Sequence, residues 1–426
     1  MSHSSEILQR RARLLGAKSQ LFYDDPVELV RGEGVWVYDA EGKRYLDAYN
    51  NVAHVGHCHP HVVEALHRQA GLLNTHTRYL HTAILDYVER LGGTFPAGLS
   101  SAILTCTGSE ANDIALRMAQ AVSGHMGIIA TDATYHGNTA AVSQISTRMP
   151  PIGGPAPYVR LVESPDSFRH PEDLQSGRRF AEEVRKAVAS LAEKGIGISG
   201  LIICPLLANE GFPTLPSGYF DEAIGVIRAA GGLIIADEVQ AGFGRSGSHF
   251  WGHQHAGFTP DIVTMGKPMG NGHPVAGVTT TPEIIATFRD AFRYFNTFGG
   301  NPVSCVVANA VLDVLDQEDL LANAKAVGAE ALEMLRPLGE RHRCIGEIRG
   351  SGFFFGAEIV SDRSKAEAAP ELANAIINEM RRRGVLIGKT GIYGNVLKIR
   401  PPMPFSRENA ALLVETLDKA IAAVLP

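Results

Sequence analysis

The sequence predicts an α/β protein organised around a large, mostly parallel sheet, and three local patterns carry that expectation. Two short apolar runs, Leu233 to Ala236 and Ile262 to Met265, have strand character, and each ends abruptly in a charged residue and a glycine-rich turn. The segment SAILTCTGSEANDIALRMAQAV reads as a strand, a tight turn and a helix. A further strand, GIIATD, follows it, and an amphipathic helix from Phe180 to Glu193 leads into another, LIICP.

Composition narrows the function classes. A chain of 426 residues can bury a large core and is long enough for a big domain with a smaller one. Its 39 basic and 45 acidic residues are spread along the chain, with net charge −6, which argues against a nucleic-acid face or a polybasic membrane patch. The five cysteines (Cys58, Cys106, Cys204, Cys305, Cys344) are odd in number and never form a CxxC pair, which favours free thiols in a reducing compartment. The first twenty residues have no uninterrupted apolar segment and read as a polar helix rather than a secretory signal. No stretch approaches the roughly 20 apolar residues that span a bilayer. The expected location is the cytoplasm.

After that helix, LVRGEGVWVYDAEGKRYLDAYN alternates as a hairpin with its turn near Gly42. Pro60 starts a helix, preceded and entered by His54, His57, His59 and His61. No acidic or cysteine partner is spaced to complete a metal site with these histidines, so no metal is expected. In the strand–turn–helix unit, Gly108 lets the backbone approach a ligand, and Ser109 sits where free N–H groups would face an anion; a capping serine is the structural alternative. Residues 148 to 178, rich in Pro, Gly and charge, suggest a surface excursion. Thr297 lies in a glycine-bounded loop before a helix, where it could also serve as a cap. IGEIRGSGFFFGAEIV alternates as a strand pair, a helix covers Pro370 to Gly384, and GNVLKIRPPMPFS is a strand ending in two prolines. The triplet Arg381 to Arg383 reads as a solvated helix end.

The chemistry starts from the charged residues that close the two apolar runs, Asp237 and Lys267. Ligands in open α/β sheets sit at the carboxyl ends of the strands, so parallel strands ending in Asp and Lys would aim both at one crevice. A lysine amine there can form a Schiff base, and a carboxylate can hold a protonated pyridine nitrogen, which together describe a pyridoxal phosphate (PLP) site. Taken alone, the same residues also suit a metal-binding acid and a solvated Gly-Lys-Pro turn.

ADEVQAGFGRSG followed by PDIVTMGKPMGNGHPVAGV resembles the class III aminotransferase group of PLP enzymes, and the resemblance extends over nearly the whole chain. It implies PLP fold type I, with a large sheet domain at 61–327 and a small domain made from 1–60 and 328–426. It implies a Schiff base on Lys267 and a ring nitrogen held by Asp237. GSEAN would bind the cofactor phosphate through Gly108 and Ser109. Tyr135 would stack on the ring with His136 nearby, and Val239 and Gln240 would meet the other face and the phenolic oxygen. Thr297 would reach across a homodimer interface to the partner's cofactor phosphate.

The sequence departs from the family at three places. Where relatives carry a glutamate before the proline and another five residues later, this chain has Cys204 and Asn209, and the usual arginine near the C-terminus is replaced by Lys398. The Glu-Arg switch for an α-carboxylate is missing. YLDAYNNVAHVGHCHP, YFNTFGGNPVSC and NVLKIRPPM are similar to the ethanolamine-phosphate phospho-lyase branch, whose members act on O-phosphoethanolamine or phosphorylated hydroxylysine. That resemblance implies a carbon–oxygen lyase acting on a small phosphorylated amine. A phosphate leaving group needs cations, and the candidates are Lys398 and Arg400, with Arg78 behind them. An ω-aminotransferase using the same cofactor site is the alternative, and a non-enzymatic PLP-binding regulator is a more distant one.

Overall fold

A computed structural model describes residues 3–425 of the chain. Its centre is a seven-stranded sheet in the order Ser101–Thr105, Ala276–Thr280, Ile262–Met265, Leu233–Asp237, Ile198–Ile203, Gly127–Thr131, Val159–Val162. Six strands run the same way, and Ala276–Thr280 alone is antiparallel to its neighbours. The central strands are buried along their whole length, as parallel strands covered on both faces must be. That double burial is why they read as continuous apolar runs rather than as alternating ones.

Two expectations need correction here. Residues 148 to 178 are not only a surface excursion, because Val159–Val162 forms the edge strand of the large sheet. Four residues flanked by Pro and Gly are too short a run to stand out from a loop. The triplet at the end of helix Pro370–Arg382 is not simply solvated either. Arg381 pairs with Asp25 at 2.6 Å, while Arg382 and Arg383 both reach Glu379, so the helix end is tied to the N-terminal segment.

The N-terminal helix spans His3–Leu15, shorter than the expected twenty residues, of which the first two lie outside the described residues. The hairpin of Trp36–Asp39 and Arg44–Asp47 turns near Gly42 as expected, with φ +83° there. A further strand, Leu29–Glu33, extends it on one side, and Val385–Leu386 adds in parallel on the other. Strands from opposite ends of the chain therefore share one sheet. A third sheet contains Ile345–Ser351, Phe354–Asp362, Val396–Ile399 and Gly388–Thr390. No described helix is long and apolar enough to cross a membrane.

The four histidines around Pro60 go to four different partners. His54 bonds to the Phe243 carbonyl, His57 to Asp47, His59 to Glu318 and His61 to Asp313. They staple the segment to the nearby strand at Asp47 and to two distant parts of the chain, Phe243 and the 313–318 stretch.

Candidate active site

Asp237 is the last residue of its strand, and Lys267 follows the neighbouring strand after a single extended glycine, Gly266. Because Asp237 pairs with Thr264 across the parallel ladder, both side chains emerge at the same sheet edge. They line one cavity of about 330 Å³, together with Gly108, Ser109, Tyr135, His136, Val239 and Gln240. Eight of the residues expected from the sequence are thus brought together. Cys204 and Asn209, the points of departure from the family pattern, line the same cavity.

Asp237 is held from three directions. His136 Nδ1 lies 2.6 Å from Oδ2, Asn112 Nδ2 donates to the same oxygen at 3.0 Å, and the Val239 amide donates to Oδ1 at 3.0 Å. Three polar contacts on a buried carboxylate fix its orientation. Asn112 accepts in turn from Thr264 Oγ1 at 2.6 Å and donates to the His136 carbonyl at 2.7 Å. Sequence reasoning missed Asn112 although it belongs to GSEAN. Its signal was spacing, since it lies four residues after Gly108 and so on the same helix face.

Lys267 is half-buried, and its amine is pushed down to about 8 by desolvation first and by the charge of Arg400 second. It also has φ +29°, a left-handed backbone angle uncommon outside glycine and tolerated where surrounding structure imposes it.

The helix Gly108–Ser123 is capped by Thr107, not by Ser109. Thr107 Oγ1 accepts from the Glu110 amide, and the Glu110 carboxylate takes the amides of Cys106 and Thr107. The N–H groups of Gly108 and Ser109 are left without an acceptor among the described residues and lie at the cavity wall. Ser109 Oγ accepts from the Asn138 amide at 3.2 Å. A Cβ on Gly108 would meet Val239 at 2.9 Å, so only glycine leaves this turn open. Two free amides at a helix start, an oriented carboxylate and a half-buried lysine of lowered basicity fit the phosphate, ring nitrogen and aldehyde of PLP.

Lys398 and Arg400 lie behind Gln240 rather than in the cavity wall. Gln240 Oε1 accepts from Lys398 Nζ at 3.1 Å and from Arg400 Nη1. Lys398 also donates to the Ala208 carbonyl at 3.0 Å, and the Arg400 guanidinium sits 4.9 Å from the Tyr49 ring centroid. Both are buried, and Lys398 is driven well below the ordinary lysine range by desolvation and by Arg400, Lys267 and Arg148. Arg148, another residue that the sequence did not single out, donates to Thr390 Oγ1 and the Gly391 carbonyl. Among the described residues, every side-chain hydrogen bond of these three cations goes to a neutral group. Asp47 acts on Arg400 only at longer range and is itself bonded to His57.

Arg78 and Thr297 lie elsewhere. Arg78 stacks over Phe295 with its guanidinium 3.8 Å from the ring centroid, outside the cavity of its own chain. Thr297 is exposed in the same neighbourhood, and the cap of the following helix is Asn301, whose Oδ1 accepts from the Ser304 amide at 2.9 Å.

The model of the family described as aminotransferase class-III matches residues 22–421. A Drosophila melanogaster protein named alanine–glyoxylate aminotransferase 2-like is 40% identical, covering 99% of this chain and 88% of its own. Ethanolamine-phosphate phospho-lyase homolog 1 of Caenorhabditis elegans is 37% identical, covering 98% of this chain and 93% of its own. A solved phospholyase from Arthrobacter in complex with phosphoethanolamine superposes with a TM-score of 0.94 at 44% identity, covering 99% of this chain and 100% of the other.

Proposed function

Because this chain belongs to the class-III aminotransferases, PLP-dependent enzymes of fold type I, we propose that it is a phospho-lyase that eliminates phosphate from O-phosphoethanolamine and, with a molecule of water consumed, gives acetaldehyde, ammonia and phosphate. The observation that carries this reading is the pair Lys398 and Arg400, buried beside the cavity with only neutral partners. Buried cations without a carboxylate partner are costly, and a bound dianion offsets that cost. The names of the C. elegans relative and the Arthrobacter phospholyase point the same way, whereas the Drosophila relative carries an aminotransferase name.

Bound PLP supplies an electron-withdrawing ring that accommodates the electron pair left when a proton is taken from the carbon bearing the amine. Gly108 and Ser109 would hold its phosphate through their free amides, and Asp237, fixed by His136 and Asn112, would keep a proton on its ring nitrogen. Tyr135 and Val239 would confine the ring from either side. Lys267 would act as the general base. With a basicity lowered to about 8, a useful fraction of its amine is neutral near physiological pH and can take the proton. Lys398 and Arg400, from behind Gln240, would stabilise the charge that grows on the phosphate as the carbon–oxygen bond breaks.

Arg78 and Thr297 are assigned to the site of a partner subunit in a homodimer, where their exposed loops would meet the second cavity. All five cysteines are free, which supports a reducing compartment such as the cytoplasm.

The test is inorganic phosphate released from O-phosphoethanolamine by PLP-loaded enzyme without any keto acid, with Lys267→Ala as control. Multiple turnovers that vanish in the variant support elimination. Deamination of simple amines that requires a keto acid, with no phosphate released, would establish the ω-aminotransferase alternative instead.

A further inference from the structure

Hydrogen-bond polarity around Asn209 determines what faces the two buried cations. The Tyr135 carbonyl can only accept, so the group 3.2 Å from it must be the amide nitrogen of Asn209. Oδ1 of Asn209 therefore points the other way, where it accepts from Gln240 Nε2 at 3.4 Å. Gln240 in turn must present its oxygen to Lys398 and Arg400. A chain of three neutral groups thus ends in one amide oxygen shared by two cations.

The Asn209 backbone is fixed as firmly as its side chain. Thr390 Oγ1 donates to the carbonyls of Ala208 and Asn209, and Lys398 donates to the Ala208 carbonyl. The adjacent acid, Glu210, is turned away: it accepts from Thr131 Oγ1 at 2.6 Å and from the Asn209 amide at 3.0 Å. With Asn209 neutral and Glu210 occupied, no carboxylate of this segment hydrogen-bonds to Lys398 or Arg400 among the described residues.

We propose that Asn209 is a specificity-determining positioning residue: by remaining neutral and orienting Gln240, it keeps Lys398 and Arg400 joined through an uncharged oxygen, so that both charges are available to a dianionic substrate group. A carboxylate at position 209 would lower the positive potential of the pair before substrate arrives and compete with the substrate phosphate. The proposal rests on the phospho-lyase reading and adds to it the residue that tunes the anion site.

The experiment compares wild type, Asn209→Asp and Asn209→Ala, each loaded with PLP. Calorimetry measures the binding of inorganic phosphate, and steady-state kinetics measure KM and kcat with O-phosphoethanolamine. Asn209→Asp is expected to raise KM and the phosphate Kd by about tenfold or more, with kcat changed much less, while Asn209→Ala raises them by only about two- to threefold. Equal losses in both variants would reduce Asn209 to a structural residue, and unchanged values in Asn209→Asp would overturn the proposal outright. Should Asn209→Asp fail to fold, Gln240→Glu puts the carboxylate directly against both cations and must weaken phosphate binding in the same way; phosphate binding as tight as in wild type would overturn the proposal. A wild-type enzyme that releases no phosphate from O-phosphoethanolamine sinks the phospho-lyase reading, whereas normal release with an Asn209→Asp variant indistinguishable from wild type sinks only this inference.

Discussion

Asn112 and Asp237 are 125 positions apart in the chain, yet Asn112 Nδ2 donates to Asp237 Oδ2 at 3.0 Å, and Thr264 on the neighbouring strand donates to Asn112 in turn. The carboxylate that would face the cofactor is therefore anchored to both the phosphate-turn helix and the strand that leads to Lys267. Asn112→Ala removes three hydrogen bonds and leaves the Thr264 hydroxyl buried without its acceptor. The expected cost is about 1–3 kcal/mol of stability, measured by urea denaturation, together with weaker PLP binding measured by fluorescence titration.

Lys267 makes cofactor capture sensitive to pH near neutrality. Its ordinary value of 10.5 is lowered to about 8 by burial and by Arg400, so the neutral, nucleophilic amine dominates above about pH 8. The rate of PLP incorporation into cofactor-free protein is expected to rise through that pH and level off well before 10, as followed by the visible absorbance of the bound cofactor. Linkage has the same sign. Between about 8 and 10.5 the unfolded chain binds more protons at this lysine than the folded one, so its contribution to stability increases with pH across that window.

Lys398→Met should separate stability from function. Replacing a buried cation that has only neutral partners by an apolar side chain of similar length is expected to stabilise the cofactor-free protein by about 1–4 kcal/mol. Thermal melts would show this as a higher Tm. With PLP loaded into both proteins, added inorganic phosphate is expected to raise the Tm of wild type and to leave that of the variant nearly unchanged.

Gly137 has φ +142°, and a Cβ there would meet Ser109 Oγ at 2.5 Å and its Cα at 2.8 Å. Gly137→Ala therefore strains the backbone and pushes on the phosphate turn at once. A loss of about 2–3 kcal/mol in stability is expected, with PLP affinity reduced at least about tenfold if a comparable part of that strain reaches the site.

Leu80 is fully exposed, as are its chain neighbour Tyr79 and Phe298, and the Arg78–Phe295 stack ties together the two loops that carry these apolar groups. Such a patch suits a protein–protein interface. Leu80→Asp is expected to yield monomers in sedimentation velocity and to abolish phosphate release, while a melt of the isolated chain changes little.

Much of the site was legible because two of its signals are local. An apolar run that stops at a charged residue marks the end of a buried strand, and parallel neighbours end at the same edge, so the sequence alone pairs Asp237 with Lys267. The Gly108 turn was legible for a similar reason, since a glycine at a helix start leaves amides open. The assignment of its cap was not, because Thr107 and Ser109 are equally plausible caps until Glu110 completes a box with one of them.

Contacts across long sequence separations were decided only in three dimensions. Lys398 and Arg400 could be picked out as cations of one strand, but their meeting with Gln240, 158 and 160 positions earlier, depends on how a C-terminal sheet packs over the large one. The chain order also carries no sign that a short run, Val159–Val162, is the edge of the sheet, or that Arg381 turns back to Asp25. Periodicity and turn residues report which face of a local element is buried and where it stops. Which polar groups then meet is decided by packing, because each buried donor or acceptor must find its partner among whatever distant segments that packing delivers.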